Sequence, residues 1–347
     1  MMPRYLFLFW LLLQISLIPI SQAQIGGQNS FEFLHLSPNT RTAALGGTNI
    51  SLAQGDVNMF LNNPALLDSS MVKQAALNFT TFYTGMPHTS LAYAHDFKRL
   101  GVIGIGLQYL NYGNFEETDL AGNVIGEFSA NDFALTISKG QKVGFFSLGA
   151  SLKLIGSQIA NYSALAVGLD LGGAFVHPVK DLTIAINLRN IGFPISSYTN
   201  ETATLPFDAQ IGISVKPQNM PFRFSITAHH LQQFEIAYED PTLVSVDPLT
   251  GATNQEDIGF LEQLSRHFVV GGELLLHKNF HLLLGYNRLI NRELRVDDAS
   301  NFAGLSFGLM FRAKSFEFSY TRATYHVAGA RNYIGIAKDF RRRFRRK

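Results

Sequence analysis

Phe207-Asp208-Ala209-Gln210-Ile211-Gly212-Ile213-Ser214-Val215-Lys216 and, after the joint Pro217-Gln218-Asn219-Met220-Pro221, Phe222-Arg223-Phe224-Ser225-Ile226-Thr227-Ala228-His229 are two segments in strict alternation. One face of each is apolar (Phe207, Ala209, Ile211, Ile213 and Val215; Phe222, Phe224, Ile226 and Ala228), and the other is polar or small. A period of two belongs to a β-strand whose faces meet different media, and so short a joint returns the chain antiparallel. At about 3.3 Å per residue and about 40° of tilt, a strand of about ten residues spans about 25 Å, the height of the apolar band on an outer-membrane barrel. The unit recurs toward the C-terminus. The pattern therefore predicts an all-β fold, a transmembrane antiparallel β-barrel of about 14 strands over residues 71–340. A charge on the apolar face, as in Ile213→Arg, is expected to be costly, and one on the wet face, as in Ser214→Arg, far milder.

Composition narrows the classes further. The chain has 347 residues, 46% hydrophobic and 16% charged, with a net charge of +2, too small to argue for nucleic acid. Beyond the N-terminus no run of roughly 18 apolar residues occurs, so the membrane signal must lie in strands. Met1 to Arg4 is a short basic start, Tyr5 to Ile18 an apolar stretch and Ser21-Gln22-Ala23 a small-residue cleavage site. Residues 1–23 thus read as a secretory signal peptide, since Pro19 comes too early for an uncleaved helical anchor. The sequence has no Cys, which excludes a lipid-modified cysteine, disulfides and thiolate metal sites. No cofactor and no metal are expected.

The connections alternate short and long with one parity. Short joints are expected at Lys98-Arg99-Leu100, Gly140-Gln141-Lys142, Pro178-Val179-Lys180, Pro217 to Pro221, Lys278 and Ala313-Lys314, and longer loops at 113–127, 192–205, 231–265 and 289–301. Outer-membrane barrels have short periplasmic turns and longer extracellular loops, which makes both termini periplasmic. Most short joints carry Lys or Arg, whereas the 231–265 loop holds Glu235, Glu239, Asp240, Asp247, Glu256, Asp257 and Glu262. Simple solvation and selection of a partner both account for that contrast. Within the same loop, Leu243, Val246, Leu249, Phe260, Leu261 and Leu264 are candidates for partner binding, and Glu256 to Leu264 reads as a short helix. These apolar groups equally suit a cap on the barrel mouth. Residues 341–347 read as a basic periplasmic tail.

Residues 24–70 precede the first strand and are too rich in apolar and turn residues for a linker. A segment of this size fits inside a barrel whose lumen side chains alone would not fill. Its spacing of Arg41, Gly46-Gly47 and Asn63-Pro64-Ala65 resembles the N-terminal hatch of FadL-like outer-membrane proteins, and more closely the PorV/PorQ branch found in type IX secretion. Leu66 stands where relatives often carry Gly. With its length and strand count, the mature chain is similar to the PorQ members of that branch. The resemblance implies a non-enzymatic component of the type IX attachment complex. It would anchor a PorZ-like surface protein near a PorU-like sortase and a PorV-like barrel that process cargo and join it to anionic lipopolysaccharide. The alternative is a FadL-like transporter of hydrophobic solutes, with Phe31, Phe33, Leu34 and Leu36 lining its path, although a segment packed for stability explains the same residues.

Motifs that suggest catalysis fail on context. Gly304-Leu305-Ser306-Phe307-Gly308 matches a nucleophile elbow but lies in a predicted strand, where no sharp turn exposes the hydroxyl. Ser70-Met71-Val72-Lys73 leads into a strand rather than a helix, and Ser129-Ala130-Asn131 is followed by no Lys-Thr-Gly. His277 and His281 straddle a predicted turn, and His229-His230, at a strand end, reads as structural or rim-forming rather than metal-binding. The glycines between Gly101 and Gly106 lack a following helix and suit close strand packing.

Overall fold

A computed structural model describes residues 30–82, 85–198, 204–236, 258–294, 302–326 and 329–341, and the backbone of 245–246 and 253–254. The expected signal peptide, Leu243, Leu249, the side chain of Val246 and the tail beyond Arg341 lie outside the described residues.

The wall consists of β1 (Gln74–Thr81), β2 (Pro87–Phe97), β3 (Gly101–Thr118), β4 (Val124–Val143), β5 (Phe146–Ile159), β6 (Tyr162–Val176), β7 (Asp181–Ser196), β8 (Asp208–Lys216) and β9 (Phe222–Ala228). After the short pair β10 (Ser245–Val246) and β11 (Thr253–Asn254), it continues with β12 (Phe268–His277), β13 (Phe280–Asn287), β14 (Leu305–Ala313), β15 (Phe316–His326) and β16 (Gly329–Asp339). Omitting β10 and β11, these form a closed antiparallel barrel of 14 strands, with β1 paired to both β2 and β16. Closure pairs every wall strand on both sides over most of its length, as a membrane requires of any sheet, and the edge of β7 beyond Arg189 is the exception on the β8 side.

The decisive hairpin aligns Ile213 with Ile226 and Ser214 with Ser225. Ile211, Ile213, Phe222, Phe224 and Ile226 are exposed on the outside, while Gln210, Ser214, Arg223, Ser225 and Thr227 are buried inside. This inversion of the usual soluble pattern continues around the wall with Leu77, Ile105, Ile184, Val270, Phe307 and Ile336 outside and Asn78, Gln108, Thr183, Glu273, Ser306 and Thr321 inside. The wet face is packed rather than water-filled. Ser214 Oγ lies 2.6 Å from Ser51 Oγ of the N-terminal segment, so Ser214→Arg meets filled space and the milder cost expected at this position is withdrawn.

The short-long parity holds only in part, since the β5–β6 joint on the long-loop rim is just Ala160-Asn161, and other connections need correction. Residues 113–127 are not a loop. β3 and β4 continue as a hairpin held by the Phe115–Phe128 stack, 5.3 Å between ring centres, and by Asp119 Oδ1 accepting the amides of Ala121 and Asn123. The joint expected at 140–142 lies at Gly144-Phe145, because Gly144 takes the left-handed backbone (φ 64°) that a tight hairpin needs. On the long-loop rim, the expected helix begins later, as α2 (Phe260–Arg266), and part of 289–301 is helical as α3 (Arg288–Glu293), both following α1 (Thr40–Ala44) of the N-terminal segment. Glu262 of α2 bonds Arg288 at 2.9 Å and Arg292 at 2.7 Å, so this acidic residue clamps two helices.

Strand lengths make the wall uneven. β3 and β4 have 18 and 20 residues, whereas β9 has 7. The barrel is thus taller on one side of its long-loop rim. We expect Ile213→Arg to cost about 2–4 kcal/mol near the bilayer midplane, and Val179→Arg, in an exposed short joint, less than about 0.5 kcal/mol. Unfolding titrations in lipid vesicles measure both, and equal costs would reject the lipid-facing assignment.

Candidate lumenal site and rim cavity

Four short turns of 3-10 helix (Glu32–His35, Val57–Leu61, Pro64–Leu66 and Ser69–Met71) and α1 form the described N-terminal segment. Asn39 caps α1 through its side-chain oxygen, which accepts the amide of Thr42 at 2.8 Å. Asn63 caps the turn that starts at Pro64, accepting the amide of Ala65 at 2.9 Å. The segment lies within the barrel, its apolar residues packed against small residues of the wall such as Ala92, Ala174 and Ala185.

The six motif residues each touch the wall. Arg41 donates to Glu273 Oε1 at 2.7 Å and approaches Asp56 at 3.4 Å. The other oxygen of Glu273 accepts Arg223 at 2.7 Å, and Arg223 also reaches Asp181 at 2.9 Å. Gly46, at φ 95°, presents its carbonyl to Asn287 at 3.1 Å, and a Cβ there would meet Val269 at 2.4 Å. Gly47 accepts Ser37 Oγ through its carbonyl at 2.8 Å, and its would-be Cβ lies 3.4 Å from Tyr325 of the wall. Asn63, Pro64 and Ala65 sit against Gly149 and Gly172, where a Cβ would fall 2.2 Å from the Pro64 carbonyl carbon and 2.0 Å from Asn63 Oδ1. Ser147 Oγ donates to the Ala65 carbonyl at 2.6 Å.

The motifs discounted for catalysis have other employment. Ser306 Oγ donates to the Ala44 carbonyl at 2.9 Å and accepts the Gly46 amide at 3.2 Å, which ties strand to segment. Ser70 Oγ bonds Asp68 rather than Lys73. His277 faces Phe280 and His281 faces Leu275 across the β12–β13 pair, so those two histidines do not converge.

At the tall side of the long-loop rim lies a cavity of about 450 Å³, lined by Phe31, Tyr112, Phe115, Phe128, Ile159 and Tyr198, with Ala130, Ser157, Asp132 and Glu32. Its polar point is Asp132, which accepts the Tyr112 hydroxyl at 2.7 Å and is bonded by Ser157. Phe31 takes a left-handed backbone (φ 66°), a strained choice for a bulky residue that turns the segment beneath the cavity. Phe31 shares a buried cluster with Phe33, Leu34, Ala134, Ile155, Ala166 and Leu205, against which Leu36 packs, and of these Phe31 also borders the cavity. Of the four residues expected along an apolar path, Phe31 therefore lines the cavity.

Beside the cavity floor, His35 meets Asp208 and His230 at the rim of β8 and β9, and His229 packs edge-on against His230. Burial first, then the neighbouring His230, lowers His35 to about 4 and His229 to about 3, and burial also lowers His230. His35 and His229 are therefore neutral at neutral pH. Alternation signals that His229 and His230 end a strand, but no sequence feature pairs them with His35, or Tyr112 with Asp132. Of the partner candidates, Phe260 and Leu261 are exposed on α2, Leu264 is at the edge of exposure, and Phe260 stacks on Phe234 at 5.3 Å.

No protein-family model and no curated protein matches the chain. Among solved structures it resembles a deltaS2S3 mutant of TodX, a monoaromatic hydrocarbon channel, at 12% identity and a TM-score of 0.52, covering 87% of this chain and 99% of that one. A Pseudomonas aeruginosa FadL homologue aligns at 12% identity over 87% of this chain and 98% of its own, with a TM-score of 0.46. The chain thus shares its fold, a closed antiparallel β-barrel, with the TodX channel mutant. At this identity the likeness is one of fold.

Glu273→Met leaves two guanidinium groups buried side by side and is expected to cost about 3–5 kcal/mol. Arg41→Met should cost less, because Glu273 keeps Arg223 at 2.7 Å. Denaturant midpoints of the refolded variants measure the order, and a larger loss in Arg41→Met would reject the shared-carboxylate arrangement.

Proposed function

We propose that the protein is a non-enzymatic outer-membrane barrel that takes up small hydrophobic solutes from the long-loop side. The observation that carries this reading is the rim cavity of about 450 Å³, with an aromatic lining and one carboxylate deep in it. Concave, largely apolar sites with a few polar groups are how proteins bind small ligands. The fold neighbour whose name describes a monoaromatic hydrocarbon channel supports the same solute class.

Below the cavity the N-terminal segment fills the lumen, so passage straight down requires that segment to yield. The wall suggests a sideways route. β7 pairs with β6 as far as Ser196 but with β8 only as far as Arg189. At that point Asn190 is left-handed (φ 57°), its amide bonded to Asp170 and its side chain to the Pro206 carbonyl, each at 2.8 Å. A wall that lacks ladder hydrogen bonds here is easier to part than the rest. Tyr198, which lines the cavity, follows this stretch of β7. In nanodiscs, radiolabelled toluene should bind the wild type. Ala130→Trp, which fills the cavity, should weaken that binding by at least about tenfold while the folded barrel still migrates faster than the heated chain on gels. Absence of binding to the wild type, or unchanged binding to the variant, would sink this reading.

The attachment role implied by the N-terminal resemblance stands as a second reading. It is favoured by the exposure of Phe260 and Leu261 on α2, two apolar side chains on the rim opposite the short turns. A PorZ-like surface protein seated there should copurify from detergent-solubilised outer membrane and be lost from a Phe260→Asp, Leu261→Asp variant. Copurification unaffected by the double substitution would remove α2 from the interface.

A further inference from the structure

We propose that His35, Asp208 and His230 form a binding site for one divalent first-row transition cation, of which zinc is the reference, between the N-terminal segment and the wall. One donor atom from each of the three lies within 4.8 Å of the other two. His35 ends the 3-10 turn Glu32–His35, Asp208 opens β8 and His230 follows β9, so the donors come from three chain segments that meet only in the folded barrel. Two imidazoles and one carboxylate are a donor set that suits zinc and its neighbours, whereas calcium and magnesium prefer oxygen alone.

Details around the three residues fit ligands better than a casual histidine contact. His230 adopts a left-handed backbone (φ 56°), which brings its amide 2.7 Å from Asp208 Oδ1 and its ring beside that of His35, with centres 5.4 Å apart. The other oxygen of Asp208 accepts Gln210 Nε2 at 2.5 Å, an outer partner of the kind that orients ligating carboxylates. His229 crowds the same point: its Nδ1 faces Nδ1 of His230 closer than an ordinary hydrogen bond, and its buried Nε2 has no partner. Of the two cations nearby, Lys153 is paired with Asp170 at 2.7 Å, whereas Arg189, which donates to the Leu34 carbonyl at 3.3 Å, keeps its charge, so the Asp208 carboxylate is the group that offsets positive charge at the site.

A cation here would staple the Glu32–His35 turn to the wall, directly beside Phe31 and the cavity floor. The inference does not depend on what the cavity holds. Tag-free protein, stripped with chelator and kept in detergent, should bind close to one equivalent of zinc by equilibrium dialysis and elemental analysis, with a higher unfolding midpoint when zinc is added. Cobalt in its place should give visible d–d absorption. His35→Gln and His230→Gln should abolish the bound equivalent, and His177→Gln, in an exposed short joint, should retain it. Should the ligand variants fail to fold, Gln210→Ala keeps all three donors and should weaken binding about 10–100-fold. Retention of zinc at or below the level of a chelated control, or equal retention by the wild type, His35→Gln and Gln210→Ala, would reduce the cluster to a hydrogen-bonded histidine network and overturn the assignment.

Discussion

Glu273 is a carboxylate buried in the lumen between two guanidinium groups, and the rest of the interior is arranged on the same principle. A strand that crosses lipid puts its apolar face outward, so its polar face must turn inward and find partners there. Arg223 alone would leave one oxygen of Glu273 without a charge partner. Arg41 supplies it from the N-terminal segment. Although burial by itself works against a charged guanidinium, Glu273 and Asp56 hold Arg41 above its usual range, so it remains a cation in the lumen. The segment is thus the polar content that the inward face of the barrel requires, as well as an apolar filling.

Close packing of segment against wall depends on what the wall omits. Gly149 and Gly172 leave room for the backbone of Asn63, Pro64 and Ala65, which a single methyl group would displace. Asn62, next in sequence, donates to Thr42 at 2.7 Å and gives its carbonyl to Asn187 at 2.6 Å, so side-chain amides link the segment to itself and to β7. Buried amide networks of this kind fix one arrangement because each lost partner leaves an unsatisfied group. Among the described residues, Phe31 is the part of that filling that borders the aromatic cavity on the tall side of the barrel.

The cavity and the histidine cluster share the turn Glu32–His35. Phe31 faces one and His35 the other, and Arg189 holds the Leu34 carbonyl between them. Whatever orders this turn therefore acts on both. The wall is least regular in the same region, where β7 parts from β8 beyond Arg189. The Arg41 end of the segment, by contrast, is fixed by its ion pairs to Glu273 and Asp56.

Much of the fold was legible in the chain because its physical cause is local. Alternation at Phe207–Val215 and Phe222–Ala228 records two media on two faces, and loop lengths record which rim each joint occupies, so strand count and parity followed. Extension of β3 and β4 through 113–127 was not legible, since those residues are amphipathic on neither a lipid nor a lumen pattern and are held by the Phe115–Phe128 stack and the Asp119 turn. The Asn-Pro-Ala motif pointed to a lumenal segment, but the glycines that receive it lie nearly ninety residues and more away. Likewise, His35 and His230 are separated by most of the barrel in sequence, and Tyr112 meets Asp132 only across the β3–β4 pair. Such pairings are set when the barrel closes and β1 meets β16, because closure determines which inward residues face one another across the lumen. Sequence by itself determined which side of each strand meets lipid; only the tertiary structure decided what each inward side chain touches.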